Sequence, residues 1–301
     1  MSLLVTGSVA IDTVSSPFGN AEGVLGGSAV YFSFVASHFC PVRLVAVVGD
    51  DFPSEFRRQM ERPNVDLGGL ETRRGSRTFR WTGRYVGDMN SAETVDVELN
   101  VLGEDSPTVP PRFADSGTVF LANTHPTRQR ELLRSVLRPR LVVCDTMNLW
   151  ITTERDSLIE TLSMVTGVIL NDGEARLLTD RANLIEAGED ILGFGPRFVM
   201  IKKGEHGALL VTRDGCAALP AYPTKLVRDP TGAGDSFAGG VMGFLASQDR
   251  HDFDDLRRAM ARGAVAASFT IEDFSLRRLE RLTSAELRGR IDEFVDMLRL
   301  S

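Results

Sequence analysis

Cysteine is scarce in this chain. Cys40, Cys144 and Cys216 stand far apart among 301 residues, with no Cys-x-x-Cys pair and no Cys/His cluster. A structural zinc site is therefore not expected, and the three thiols read as reduced core residues of a cytosolic protein. No apolar run approaches membrane-spanning length. The segment Met1 to Gly7 lacks the basic start and long apolar stretch of a signal peptide and reads as a first strand, so the expected location is the cytoplasm. Basic charge is not in excess either. Lys and Arg number 34 against 41 Asp and Glu, leaving −7, which argues against nucleic-acid and anionic-membrane partners. Internal repeats and low-complexity segments are lacking, and the four histidines form no visible constellation.

What is present is an ordinary globular composition, 43% apolar and 25% charged, in a chain long enough for one large α/β domain. Short apolar runs at 3–6, 43–48, 118–121, 141–144, 167–170 and 198–201 read as buried strands. Between them, 29–39, 127–137, 153–164, 174–179 and 184–192 have helical character, and helices at 235–247, 253–269 and 284–298 follow. This rhythm predicts a mainly parallel sheet with helices on both faces. One stretch breaks it. Residues 78–86 alternate in period two, 87–92 make a turn, and 93–101 alternate again. That pattern is a polar-faced hairpin projecting from the main sheet, either a lid over a polar ligand or an edge hairpin or dimer contact.

The most informative segment is Asp229-Pro230-Thr231-Gly232-Ala233-Gly234-Asp235, running into Ser236-Phe237-Ala238-Gly239-Gly240. Small residues before an apolar run of helical spacing predict a tight loop opening a helix, with free N–H groups at its start. Such a start, with the helix dipole behind it, suits an anion such as a phosphate. Asp235 at the same place has either a capping role or a chemical one. Gly26-Gly27, ahead of a helix near Ala29, would let a ligand approach the backbone. Asp12 follows the first strand, where it can accept hydrogen bonds from hydroxyls or simply form a turn. Asn171-Asp172-Gly173-Glu174 offers hard oxygens for Mg²⁺ or an acidic helix N-cap. Ile201-Lys202-Lys203-Gly204-Glu205-His206-Gly207 ends another strand: Gly204 and Gly207 would let a nucleotide lie on the backbone while the lysines offer charge, or the segment is a plain turn.

These pieces in this order resemble the ribokinase/PfkB carbohydrate kinase family over nearly the entire chain. Asp229 to Asp235 is similar to its Asp-x-x-Gly-Ala-Gly-Asp signature, Gly26-Gly27 to its N-terminal di-glycine, and Asn171 to Glu174 to its Asn-x-x-Glu. The Walker A pattern is absent, which sets P-loop kinases aside. The resemblance implies a ribokinase-like three-layer α/β sandwich in a single domain, with residues 12–20 and 78–101 forming a small β-lid. It implies transfer of the ATP γ-phosphate to a hydroxyl of a sugar or sugar-like molecule, the alternatives being a nucleoside acceptor or a non-catalytic sugar or nucleotide binder on the same fold. Asp235 would be the general base, with Gly232, Ala233 and Gly234 amides as an anion hole. Asp12, Gly26 and Gly27 would grip substrate hydroxyls, with Asn123 and Asn148 as further substrate contacts. Lys203, Gly204, Gly207 and Thr231 would lie on the nucleotide side, and Asn171 and Glu174 would hold Mg²⁺ through water. A monovalent cation and a homodimer through the lid are further expectations. Two departures stand out. Ser28-Ala29-Val30-Tyr31 replaces the Asn that ribokinase has beyond the di-glycine, and 145–150 lacks the arginine of an otherwise similar Asp-x-Asn-x-Arg stretch.

Overall fold

The structure is a computed structural model that describes residues 2–299 other than Asp88 and Ser91. The chain runs β1 (Leu3–Thr6), β2 (Ala10–Ser16), β3 (Gly19–Gly26), α1 (Ser28–Ala36), β4 (Val42–Gly49), α2 (Ser54–Met60) and β5 (Val65–Arg73). There follow β6 (Phe79–Tyr85), β7 (Ala92–Glu98), β8 (Thr118–Leu121), α3 (Pro126–Arg134), β9 (Leu141–Cys144), α4 (Asn148–Thr153) and α5 (Arg155–Leu162). Next come β10 (Gly167–Asn171), α6 (Asp172–Thr179), α7 (Leu184–Gly193), β11 (Phe198–Lys202), β12 (Ala208–Thr212) and β13 (Gly215–Leu219). Four helices close the chain: α8 (Ala233–Ala246), α9 (Phe253–Thr270), α10 (Arg277–Arg281) and α11 (Ser284–Met297).

Nine strands form one sheet in the order β13-β12-β11-β10-β9-β8-β1-β4-β5. It is parallel from β11 to β5, and β12 and β13 add an antiparallel edge. The apolar runs are continuous because both faces are covered. Leu3 and Val5 enter one core and Leu4 the other; Phe198 and Met200 face the first, Val199 and Ile201 the second. Helices α1, α8, α9 and α11 cover the first face, and α3, α5, α6 and α7 the second. Glycine lets α8 sit deep in that layer. A Cβ on Gly239 would lie 2.6 Å from the Phe32 carbonyl of α1, and one on Gly240 would lie 2.7 Å from the Arg262 carbonyl of α9. Substituted residues there would push three helices apart.

The hairpin at 78–101 joins a second sheet, ordered β3-β2-β6-β7. Two antiparallel hairpins, β2–β3 and β6–β7, meet along a parallel β2–β6 seam. Its strands cover residues 10–26 and 79–98, and part of the β6–β7 turn lies outside the described residues. A small apolar cluster of Val14, Tyr85 and Met89, with Trp81 and Val227 against it, holds this sheet together. One expectation needs correction: Cys40 and Cys144 are buried, but Cys216 is exposed, because it sits on the edge strand β13. All three thiols are free. Among the described residues no helix is long and apolar enough to cross a membrane.

Candidate active site

The sheet order creates the crevice. From β1 the chain builds outward through β4 and β5, then returns to place β8 on the other side of β1. Such a reversal leaves a gap beyond the carboxyl ends of the strands, the usual ligand position in open α/β sheets. Ser8 and Asn123 follow β1 and β8 there. Ser8 and Ser28 exchange two backbone-to-hydroxyl bonds of 3.0 and 2.9 Å, which tie the end of β1 to the start of α1. Neither serine was apparent as a site former in the sequence, since a reciprocal pair 20 residues apart leaves no local pattern.

The di-glycine sits where these strands meet. Gly27 has φ 101° and is the N-cap of α1; a Cβ there would lie 2.5 Å from the Ser8 carbonyl and 2.8 Å from the Ala10 nitrogen. Gly26 lies against Asp12, and a Cβ would overlap its carboxylate. Asp12 is only 4% exposed. Burial, then the negative charges of Asp229 and Asp235, push its pKa up to about 8. An almost buried carboxyl at the crevice floor is well placed to receive polyol hydroxyls.

The Asp229 to Asp235 loop opens α8 as expected. Asp229 is buried and structural: its carboxylate takes the Thr231 N–H at 2.9 Å and the Ser275 N–H at 3.0 Å. Thr231 donates its hydroxyl to Tyr85 at 3.4 Å. Gly232, at φ 74°, is the N-cap of α8, and a Cβ there would enter the Tyr31 ring. Tyr31 is thereby a packing residue, 1% exposed. The Ala233 N–H donates to the Pro230 carbonyl at 3.0 Å, whereas the Gly232 and Gly234 N–H groups donate to no other residue among those described. Asp235 lies in the first turn of α8, and the helix has no side-chain cap. Capping thus does not explain it. Half-buried, its carboxylate has its pKa pushed up to about 7, first by burial and then by Asp145, with Lys202 opposing.

Facing this helix start is an acidic cluster around one cation. Lys202 ends β11, and its Nζ lies 3.5 Å from Asp145 Oδ2. Burial disfavours the ammonium, but Asp145, Glu174 and Asp235 outweigh it and hold the lysine pKa above its usual value. Asp145 follows β9 and is positioned by Gln129 of α3, whose amide donates to the carbonyls of Leu121, Ala122 and Asp145 at 3.1, 3.1 and 2.9 Å. Asn171 and Glu174 form a full capping box at α6: the Asn171 N–H reaches Glu174 Oε2 at 2.7 Å and the Glu174 N–H reaches Asn171 Oδ1 at 2.8 Å. Glu174 is buried, and burial raises its pKa to about 7 against the pull of Lys202. The β10–β11 register sets Asn171 beside Lys202. Sequence reading saw charge in both lysines and favoured Lys203, whose N–H closes the turn to Gly207 at 2.8 Å. The strand's alternation, with Ile201 in the second core, is the signal that distinguishes the two lysines.

The remaining candidates divide. The 203–207 turn meets the tip of the small sheet: Asn90 bonds the Glu205 carboxylate at 3.2 Å and accepts its N–H at 3.3 Å. Gly204, at φ 54°, leaves room for that amide, and a Cβ would overlap it. Gly207 packs on the Leu219 carbonyl, so its smallness answers to the fold. Asn123 is engaged by Trp150, which donates to Oδ1 at 3.0 Å, and by Met147. Asn148 begins α4 and is exposed, with no side-chain partner among the described residues.

Similarity to known proteins now decides the family. Residues 134–280 match the pfkB family carbohydrate kinase domain. A cytidine kinase from Thermococcus kodakarensis is 31% identical over 257 residues, covering 83% of this chain and 89% of that enzyme. The chain belongs to the pfkB family. It is a kinase, a phosphotransferase with an alcohol group as acceptor, of the nucleoside and sugar class. The nucleoside kinase of Methanocaldococcus jannaschii superposes with a TM-score of 0.77 at 18% identity, covering 97% of this chain and 98% of that one. The aminoimidazole riboside kinase of Salmonella enterica, solved with aminoimidazole riboside and an ATP analogue, gives 0.77 at 16%, covering 97% and 100%. These likenesses establish the ribokinase fold, and the four-stranded sheet is its lid.

Proposed function

We propose that this pfkB-family enzyme transfers the γ-phosphoryl group of ATP to a hydroxyl of a nucleoside or sugar, with Asp235 as general base. One observation carries the reading. A carboxylate with its pKa pushed up to about 7 stands at a helix start where the Gly232 and Gly234 amides have no partner among the described residues. The acceptor oxygen forms a bond to the γ-phosphorus as the bond to the β–γ bridging oxygen breaks. The bridging electron pair leaves with ADP, and the hydroxyl proton passes to Asp235. Gly232 and Gly234 N–H groups stabilise charge on the transferred group, and Ala233 joins them only by sharing its bond to Pro230. Asp12 holds acceptor hydroxyls. Gly204 and the turn around it receive the nucleotide.

The donor set fits Mg²⁺ bound mostly through water and phosphate. Three buried or half-buried carboxyls surround a single lysine, and Glu174 Oε1 is free of the capping box. Among the described residues no group of three or more His, Cys, Asp or Glu side chains is arranged to hold a metal directly. Mg²⁺ near Asn171 and Glu174 would neutralise phosphate charge.

Likeness to the cytidine kinase favours a nucleoside acceptor. Tyr31 and Tyr85 are buried, whereas Trp81 on the lid, in register with Asp12, is offered to a base. Free thiols support a cytoplasmic location. Exposed Phe18, Val86, Val95, Val97 and Leu99 on the lid and just beyond its strands support a homodimer through it. The test is ATP turnover against a panel of nucleosides and sugars, with Asp235→Asn as control. That variant should fold and lose about 10²–10⁴ in kcat; unchanged turnover removes Asp235 from the chemistry.

A further inference from the structure

The positive charge that phosphoryl transfer requires has no owner among the motif residues. The stretch 145–150 carries no arginine, and Lys203 points to no acidic or anionic partner among the described residues. Lys202 meets the requirement by position. Its Nζ lies 3.0 Å from the point where a Cβ on Gly234 would stand, hence against the start of α8. An anion seated on the free Gly232 and Gly234 amides comes within reach of that ammonium. Its resting contact is loose: Asp145 Oδ2 is the partner, at 3.5 Å, although the two side chains are only 17% and 7% exposed. A half-buried ammonium whose ion-pair partner among the described residues lies at 3.5 Å gains by meeting phosphate oxygens.

We propose that Lys202 contacts the γ-phosphoryl group of ATP during transfer, and that Asp145 serves as its counter-ion in the ligand-free enzyme. The proposal rests on the kinase reading above. As the acceptor oxygen bonds to phosphorus and the bridging oxygen departs with its electron pair to ADP, the three peripheral oxygens keep their negative charge. Lys202 hydrogen-bonds one or two of them and stays protonated throughout; the acceptor proton goes to Asp235. Gly234 has a second role in this arrangement, because any side chain there would displace Nζ.

The experiment compares wild type, K202M and K202R in the full chain, reading kcat, both KM values, and the affinities of ATP and adenosine by calorimetry. K202M should lower kcat about 10²–10³-fold, leave the acceptor KM within about threefold, and weaken ATP about tenfold while adenosine is unaffected. K202R should recover most of the loss. K202M turning over within threefold of wild type, with ATP affinity unchanged, overturns the proposal. Asp145→Asn is the second variant, and it decides the matter if K202M does not fold. With the lysine released from its carboxylate, ATP should bind at least as tightly as to wild type; a tenfold weakening overturns the counter-ion assignment. The two readings fail separately. Wild type inactive on every acceptor counts against the kinase reading, whereas selective loss of ATP over adenosine in K202M still upholds the phosphate contact.

Discussion

Gly26 and Gly27 are neighbours, yet different atoms forbid a side chain at each. At Gly27 the obstacle is backbone, the Ser8 carbonyl and Ala10 nitrogen, and the positive φ adds strain. Gly27→Ala should therefore cost about 2–4 kcal/mol of stability, seen as a lower denaturant midpoint at constant m. At Gly26 the obstacle is the Asp12 carboxylate itself, which can rotate away. Gly26→Ala should leave the midpoint nearly unchanged and raise the acceptor KM about tenfold, with the ATP KM constant. Equal stability losses in both variants would contradict this division. The same residues show what sequence can carry. Paired glycines and the Gly-Ala-Gly-Asp run are visible because tight loops demand small residues in fixed order. Lys202 was visible only as one of two adjacent lysines offering charge, and Gln129 was not visible at all: each acts across strands through one long side chain, which leaves no local pattern.

At the scale of elements, buried strands were the legible part. β1, β8 and β9 coincide with their apolar runs, since a strand covered on both faces has no polar interruption. β5 escaped as an edge strand of mixed polarity, and β12 and β13 escaped although largely apolar, being five-residue strands with no helix between them to continue the rhythm. β2 and β3 were absent from the residue pattern, because Gly19, Gly23 and Gly26 punctuate β3 and its side chains alternate irregularly; only the family resemblance placed 12–20 in the lid. The lid hairpin was legible from its period of two, but its contact with the 203–207 turn was not. Asn90 joins those two elements through the N–H and carboxylate of Glu205. Two hydrogen bonds at an exposed site are each worth about 1 kcal/mol. Asn90→Ala should consequently speed amide exchange in β6 and β7 about 5–10-fold in the ligand-free protein, with exchange in β8 and β9 unchanged. Exchange identical to wild type would show that other contacts hold the lid down.

The whole molecule concentrates carboxyl groups in buried or half-buried positions. Asp12 at about 8, and Asp235 and Glu174 at about 7, all titrate far above ordinary carboxyls, with burial the first cause in each. The unfolded chain releases these protons near pH 4, whereas the folded chain keeps them to pH 7 or 8. Between those limits the native state binds more protons than the unfolded one, so stability falls as pH rises. The ligand-free enzyme should thus melt at a lower temperature at pH 8.5 than at pH 6, the reverse of the usual paired-carboxylate trend. Asp12→Asn removes the largest of these shifts and keeps the shape of the side chain. It should flatten the decline and raise the melting temperature at pH 8.5, by about 2 °C for each kcal/mol recovered in a protein of this size. Calorimetric scans of both proteins across pH 5 to 9 provide the comparison. A melting temperature that climbs through this window in wild type would mean that the three groups ionise freely in the fold, and that the crevice is wetter than its burial implies.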